Sequence, residues 1–227
     1  MTELGLDAAG PWQDEEFVRG WVEADTIAGL LAFPRAVSAA LVKQDRPQAN
    51  KIVDIGSGTG EFLAVFLDEF PDARGVWTDA SEAMLDIART RLAEYGDRVE
   101  YQLVDMTDLA HANLPRDIDV VLTSRAAHHL DRPALFDFYR EAGERLASGG
   151  WLVNLDHIGP RDDTWNQRLR TVRKRFQPQG KTSKPHHHNY PLTGVADHFD
   201  ALTAAGLTDH EIAWRGLITC LFMARKN

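Results

Sequence analysis

The chain has 227 residues, of which 44% are hydrophobic, and a formal net charge of −9. That length suits one domain with a small addition, and the acidic balance argues against a nucleic-acid partner, which selects basic surfaces. A single cysteine, Cys220, excludes an internal disulfide and a cysteine-built zinc cluster, and no run approaches the roughly 18–20 apolar residues that span a bilayer.

Residues 1–11 read as a loose, acidic tail without the basic and apolar regions of a signal peptide, so a cytoplasmic location is expected. From Trp12 to Val42 the periodicity gives two helices, the first carrying Phe17, Trp21 and Val22, with Pro34 interrupting before Ala36, Val37, Ala40 and Leu41. Residues 1–48 are therefore set apart as a helical N-terminal cap, and residues 49–227 as the main domain.

The main domain opens on Lys51–Phe62, a short buried strand that breaks into Gly56-Ser57-Gly58-Thr59-Gly60. A helix follows, with Phe62, Leu63, Phe66, Leu67 and Phe70 on one face. Glycines let the chain turn sharply and let a ligand lie against bare backbone, and the first N–H groups of the helix are free to meet it. The spacing is G-x-G-x-G, and Asp54 stands two residues ahead of the first glycine. A carboxylate there disfavours a diphosphate and welcomes a cationic amino group. The second strand ends at Asp79, where an acid suits the hydroxyls of a ribose. Ser81 is placed to cap the next helix, whose stripe is Met84, Leu85, Ala88 and Leu92. The third strand, Val99–Val104, leads into Asp105-Met106. Asp54, Asp79 and Asp105 thus fall at the carboxyl ends of strands, where open parallel sheets bind ligands.

The fourth strand runs from Ile118 to Thr123 and leads into Ser124-Arg125-Ala126-Ala127-His128-His129. A helix over Pro133–Leu146 ends at Gly149-Gly150, and the fifth strand, Trp151–Leu155, delivers Asp156 and His157. Residues 160–192 break the alternation. Trp165, Leu169, Val172 and Phe176 form a stripe ringed by Arg161, Arg168, Arg170, Arg173, Lys174 and Arg175, before His186-His187-His188-Asn189-Tyr190. This segment reads as an inserted helix and lid. A last helix (Val195 to Ala205) precedes two strands, about 208–215 and 217–224, joined near Gly216. The fold expected is α/β: a doubly wound, mostly parallel seven-stranded sheet with a C-terminal antiparallel hairpin strand.

Val53-Asp54-Ile55-Gly56-Ser57-Gly58-Thr59-Gly60, Asp79 in Trp77-Thr78-Asp79-Ala80-Ser81, Asp105 in Leu103-Val104-Asp105-Met106, Asp119-Val120-Val121-Leu122-Thr123-Ser124 and Leu146–Leu152 occur in order. Together they resemble the class I S-adenosylmethionine-dependent methyltransferases. The resemblance implies S-adenosyl-L-methionine as cofactor and a small-molecule acceptor methylated at O, N or C. It assigns cofactor contacts to Asp54, Gly56, Ser57, Gly58, Gly60, Asp79, Ala80, Met84, Asp105, Met106, Ser124 and Arg125. His128, His129 and His157 are the candidate bases, because imidazole accepts protons near neutral pH. Trp21, Asp156, Arg168, His187 and Tyr190 are the candidate acceptor contacts. No metal and no membrane partner is expected, and a monomer or homodimer is. Two alternatives stay open: a non-catalytic protein that holds the cofactor or its demethylated product, and a nicotinamide-dependent enzyme, against which the glycine spacing, Asp54 and the terminal hairpin weigh.

Overall fold

The computed structural model describes residues 10–24, 28–160, 162–176 and 191–227. Seven strands form one sheet: β1 (Lys51–Ile55), β2 (Arg74–Asp79), β3 (Val99–Leu103), β4 (Ile118–Ser124), β5 (Leu146–His157), β6 (Asp209–Gly216) and β7 (Thr219–Arg225). Their order across the sheet is β3-β2-β1-β4-β5-β7-β6. β1 to β5 run parallel, whereas β7 pairs antiparallel with both β5 and β6. The expected fold is the one observed. β1 and β4 lie at the middle and are buried at all but one position each, as strands covered on both faces are.

The helices are α1 (Glu15–Ala24), α2 (Ala28–Asp45), α3 (Glu61–Glu69), α4 (Glu82–Arg91), α5 (Arg132–Arg145), α6 (Asp163–Phe176) and α7 (Val195–Ala204). One apolar core joins α1, α2, α3 and α4 to the sheet through Val18, Leu31, Phe62, Phe66, Trp77 and Leu122. The other lies beneath α5 and α7 and contains Val53, Val121, Phe138, Tyr139, Leu152 and Leu202. The stripe predicted for α3 is buried at every position from Phe62 to Phe70. Ser81 caps α4 by accepting from the Met84 N–H, and Asp131 caps α5 by accepting from Ala134.

Two boundaries differ from the sequence reading. Pro34 does not interrupt a helix but lies inside α2. The carbonyl that a proline leaves unbonded belongs to Leu30, whose residue is 67% exposed, so the cost of the missing N–H falls on the wet side of the helix. β5 starts at Leu146, and Gly149-Gly150 belong to the strand rather than to the end of α5. Gly149, at φ +71°, donates to the Lys226 carbonyl at 2.7 Å, and the β4–β5 register shifts between Ile118 and Val120, so the strand passes through an irregularity that resembles a turn in sequence.

No helix among the described residues is long and apolar enough to cross a membrane. His187 and Tyr190 fall outside the described residues, as does the side chain of Trp21.

Candidate active site

The site is built where β1 stops. Gly56, Gly58 and Gly60 take φ of +64°, +55° and +80°, values that side chains rarely tolerate. Crowding adds to the demand. A Cβ on Gly56 would lie 2.6 Å from the Ala126 Cβ, and one on Gly60 would lie 2.8 Å from Leu92. Gly60 therefore holds α3 against α4's end and does not itself line the cleft.

The loop is pinned from β2. The Ser57 N–H donates to the Thr78 carbonyl at 2.8 Å, the Trp77 indole N–H to the Gly58 carbonyl at 2.9 Å, and the Gly58 N–H to Asp79 Oδ2 at 2.9 Å. The second oxygen of Asp79 accepts from the Ser81 N–H, again at 2.9 Å. One carboxylate thus fixes both the glycine loop and the start of α4. A carboxylate offers about four lone-pair sites, so with the N–H groups of Gly58, Ser81 and Ala80 at it, room remains for a ligand hydroxyl. Burial pushes the Asp79 carboxyl above its ordinary range, and the N–H groups of Ser81 and Gly58 oppose that rise.

Asp54 differs from expectation in its reach. It is completely buried and does not line the cleft; Ser57 does, donating to Asp54 Oδ2 at 2.6 Å. Desolvation lifts the Asp54 carboxyl to about 7, against the pull of Ser57 and Arg35. Any influence on a ligand passes through the Ser57 hydroxyl. Asp105 does line the cleft, and its Oδ1 accepts from the Thr107 N–H at 2.8 Å and hydroxyl at 2.7 Å. Ala80, Met84 and Met106 complete this side.

The opposite wall comes from the end of β4. Ser124 and Arg125 line it, and Arg125 stands at φ +53°, a strained value for a residue with a side chain. The Arg125 N–H and the Ser124 hydroxyl both donate to the Leu155 carbonyl, at 3.1 and 3.3 Å. His129 faces the cleft and meets the edge of Trp12, ring centroids 5.9 Å apart.

His128 lies behind His129. It is 3% exposed, and the two rings are 4.2 Å apart. Asp156, fully buried, accepts from the His128 N–H at 3.0 Å and bonds the His128 Nδ1 at 2.5 Å. The same carboxylate accepts from the His157 N–H at 2.7 Å, and His157 Nδ1 lies 3.1 Å from the Thr219 hydroxyl. Four of the expected residues, His128, His129, His157 and Asp156, are therefore brought together, but only His129 of them reaches the cleft. Asp156, expected to touch an acceptor, instead ties the end of β5 to the end of β4. Arg168 is exposed on α6, stacks 5.2 Å over the ring of Trp165, and lies outside the cleft lining.

Several lining residues were missed: Trp12, Arg35, Glu61, Phe62, Thr107 and Leu130. Arg35 is 5% exposed and pairs with Glu61 at 2.6 Å; Arg91 joins at 3.4 Å. Burial pulls the Arg35 guanidinium below its ordinary pKa, and Glu61 opposes that. The signal available in sequence was a lone cation in an otherwise apolar stretch of α2. The cap is fastened across the cleft by Gln13, whose amide donates to the Ala80 carbonyl at 2.8 Å, and by the Ser81 hydroxyl, which donates to the Trp12 carbonyl. The cleft opens to solvent at its mouth. Among the described residues no three His, Cys, Asp or Glu side chains gather as a metal site would need.

The open sheet with one antiparallel strand, the cleft at its carboxyl edge and an acid at each of the first three strand ends define the class I methyltransferase architecture. Residues 52–150 match the methyltransferase-domain family. The chain is 31% identical over 122 residues to demethylmenaquinone methyltransferase of Bacteroides fragilis, covering 52% of this chain and 47% of that one. It is 32% identical over 111 residues to phenazine-1-carboxylate N-methyltransferase of Pseudomonas aeruginosa, covering 48% and 32%. The chain thus spans less than half the length of these curated relatives. Among solved structures, an O-methyltransferase-like protein of Nostoc punctiforme superposes with a TM-score of 0.70 at 18% identity, over 92% of this chain and 60% of that one. A geranyl diphosphate C-methyltransferase of Streptomyces coelicolor does so at 0.59 and 14% identity, over 85% and 76%. At such identities the likeness is one of fold.

Proposed function

We propose that the protein transfers a methyl group from S-adenosyl-L-methionine to a small-molecule acceptor. The observation that carries the reading is Asp79: half-buried at the end of β2, fixed by backbone N–H groups, and lining a cleft floored by bare glycine backbone. A ribose diol needs such an acceptor. The donor set fits the rest of the cofactor. Met84, Met106 and Leu130 give apolar faces for adenine, Asp105 an acceptor at its edge, and Ser57, Glu61 and Arg35 a polar end for an amino acid.

When bound, the cofactor supplies an activated methyl carbon on a sulfonium. The chain's own task is placement and proton removal. The cap, described over residues 10–24 and 28–48, covers one side through Trp12 and Arg35 and excludes water. His129, whose ring faces the cleft, takes the proton from an acceptor hydroxyl or amine. His128, clamped by Asp156, holds the plane against which that ring packs. Arg125 meets an acceptor's anionic group. The relatives' names speak of a quinone precursor and a phenazine carboxylate, so a planar small acceptor is the class we favour here. Of the expected lid over 160–192, residues 161 and 177–190 lie outside the described residues.

Calorimetric titration with S-adenosyl-L-methionine tests the reading. Asp79→Ala should weaken binding about hundredfold, as two lost charge-assisted hydrogen bonds would. No binding by the intact protein ends the proposal. Tight binding without turnover on phenolic, carboxylic and amine acceptors favours a non-catalytic carrier of the cofactor.

A further inference from the structure

The large apolar side chains that the described residues leave exposed are not scattered. Apart from Leu41, they lie on elements that end at, start near or follow the carboxyl edge of the sheet, the edge that carries the mouth of the cleft. Leu103, 50% exposed, is the last residue of β3, directly before the cleft-lining Val104. Leu217, 41% exposed, lies in the β6–β7 turn, where Thr219 pairs with His157 at the end of β5. Leu30 and Phe33, 67% and 66% exposed, precede the cleft-lining Arg35 on α2. That helix runs away from the mouth, since Arg46 just past its far end bonds Asp119 near the start of β4. Trp165 and Val172, 47% and 40% exposed, share one face of α6, which leaves the sheet shortly after His157.

Charge sorts the same way. The chain is net −9, yet α6 carries Arg168, Arg170, Arg173, Lys174 and Arg175 against the single acid Asp163. The guanidinium of Arg168 lies over the Trp165 ring. A helix with aromatic and aliphatic residues on one face and arginines beside them suits the boundary between acyl chains and anionic headgroups. The acidic remainder of the molecule would be repelled from such a surface, so the field also orients the approach.

From this we infer that the mouth of the cleft docks on an anionic phospholipid bilayer through α6, the first turns of α2 and the β6–β7 turn. The contact is peripheral: side chains enter the interface and no helix crosses. Its consequence is that an amphiphilic acceptor passes from the bilayer into the cleft without crossing water. That consequence rests on the methyl-transfer reading, whereas the docking does not.

Co-sedimentation of the full chain with vesicles tests it, with neither cofactor nor acceptor present. Binding is expected to vesicles of phosphatidylcholine mixed with phosphatidylglycerol, weaker with phosphatidylcholine alone, and reduced as salt is raised. Arg168→Gln should weaken binding about fivefold, the share of one surface arginine. Trp165→Asp with Val172→Asp should abolish it while circular dichroism stays unchanged; both side chains are exposed, so folding does not depend on them. No binding to anionic vesicles at low salt overturns the inference, and so does binding that the double variant leaves intact. Equal affinity for soluble polyglutamate overturns the bilayer as occupant. A solution dimer that the double variant splits would assign the face to a second copy instead. Because the assay contains no methyl donor, its failure leaves the proposed reaction standing, and loss of cofactor binding leaves the docking standing.

Discussion

The two walls of the cleft are made differently. On the β1–β2 side the working groups are backbone: glycine N–H and carbonyl groups held by Asp79, Trp77 and Thr78. On the β4–β5 side they are side chains: the His129 ring, backed by His128 and clamped by Asp156. Backbone geometry is copied by any ligand that needs it, so the first wall suits an invariant cofactor. Side chains can change without rebuilding the turn, so the second wall suits a varied acceptor. The walls meet closely where Gly56 faces Ala126.

That point gives the largest expected effect. Gly56→Val places a branched side chain at φ +64° and drives its Cβ to 2.6 Å from Ala126. Strain and overpacking together should cost about 3 kcal/mol or more, with cofactor binding lost, by thermal unfolding and calorimetry. Unchanged binding would show that the walls are not coupled there. Next comes Asp156→Asn. Breaking a buried, hydrogen-bonded acid–imidazole pair costs about 3 kcal/mol. The sharper readout is kinetic. Turnover should fall roughly tenfold to hundredfold, as for a disturbed general base, while the cofactor Kd stays put. Equal loss of both would mean that the acceptor wall also carries the cofactor.

The same contrast explains what could be read in advance. The glycine loop was legible because positive φ admits few residues, and the acids at strand ends because an acid is out of place beside an apolar run. Asp156 was legible as a strand-end acid, yet its burial was not, because a sequence does not say whether a carboxylate faces a ligand or a neighbouring histidine. Arg35 and Trp12 were missed because they come from a cap whose docking depends on tertiary contacts such as Gln13 with Ala80. The break assigned to Pro34 failed because the cost of a helical proline depends on which face is wet. The start of β5 was misplaced because Gly149-Gly150 serve a strand irregularity as readily as a helix end.

The last contrast is a tilt in stability with pH, spread over several pH units, and it separates a buried group of the cofactor wall from one beneath the sheet. His198 is fully buried, bonded to the Tyr139 hydroxyl at 2.7 Å and near the Thr193 hydroxyl at 3.1 Å. Desolvation depresses it to about 4, so between pH 4 and 6.5 the unfolded chain binds its proton more readily, and stability is lost as pH falls. Asp54, lifted to about 7, acts oppositely: the folded chain keeps the proton, and stability is lost as pH rises from about 4 to 7. Burial raises Asp79 and Asp156 as well, which adds to the second slope. Relative to the parent, Asp54→Asn should therefore gain stability as pH rises through that window, and His198→Gln should gain it as pH falls. Each difference amounts to about 2–4 kcal/mol across the window, read by urea unfolding at fixed ionic strength. Parallel profiles for all three proteins would mean that neither group changes its proton affinity on folding. In that case Asp54 is ionised near neutral pH, and its charge, shielded by the Ser57 hydroxyl, belongs to the cofactor wall.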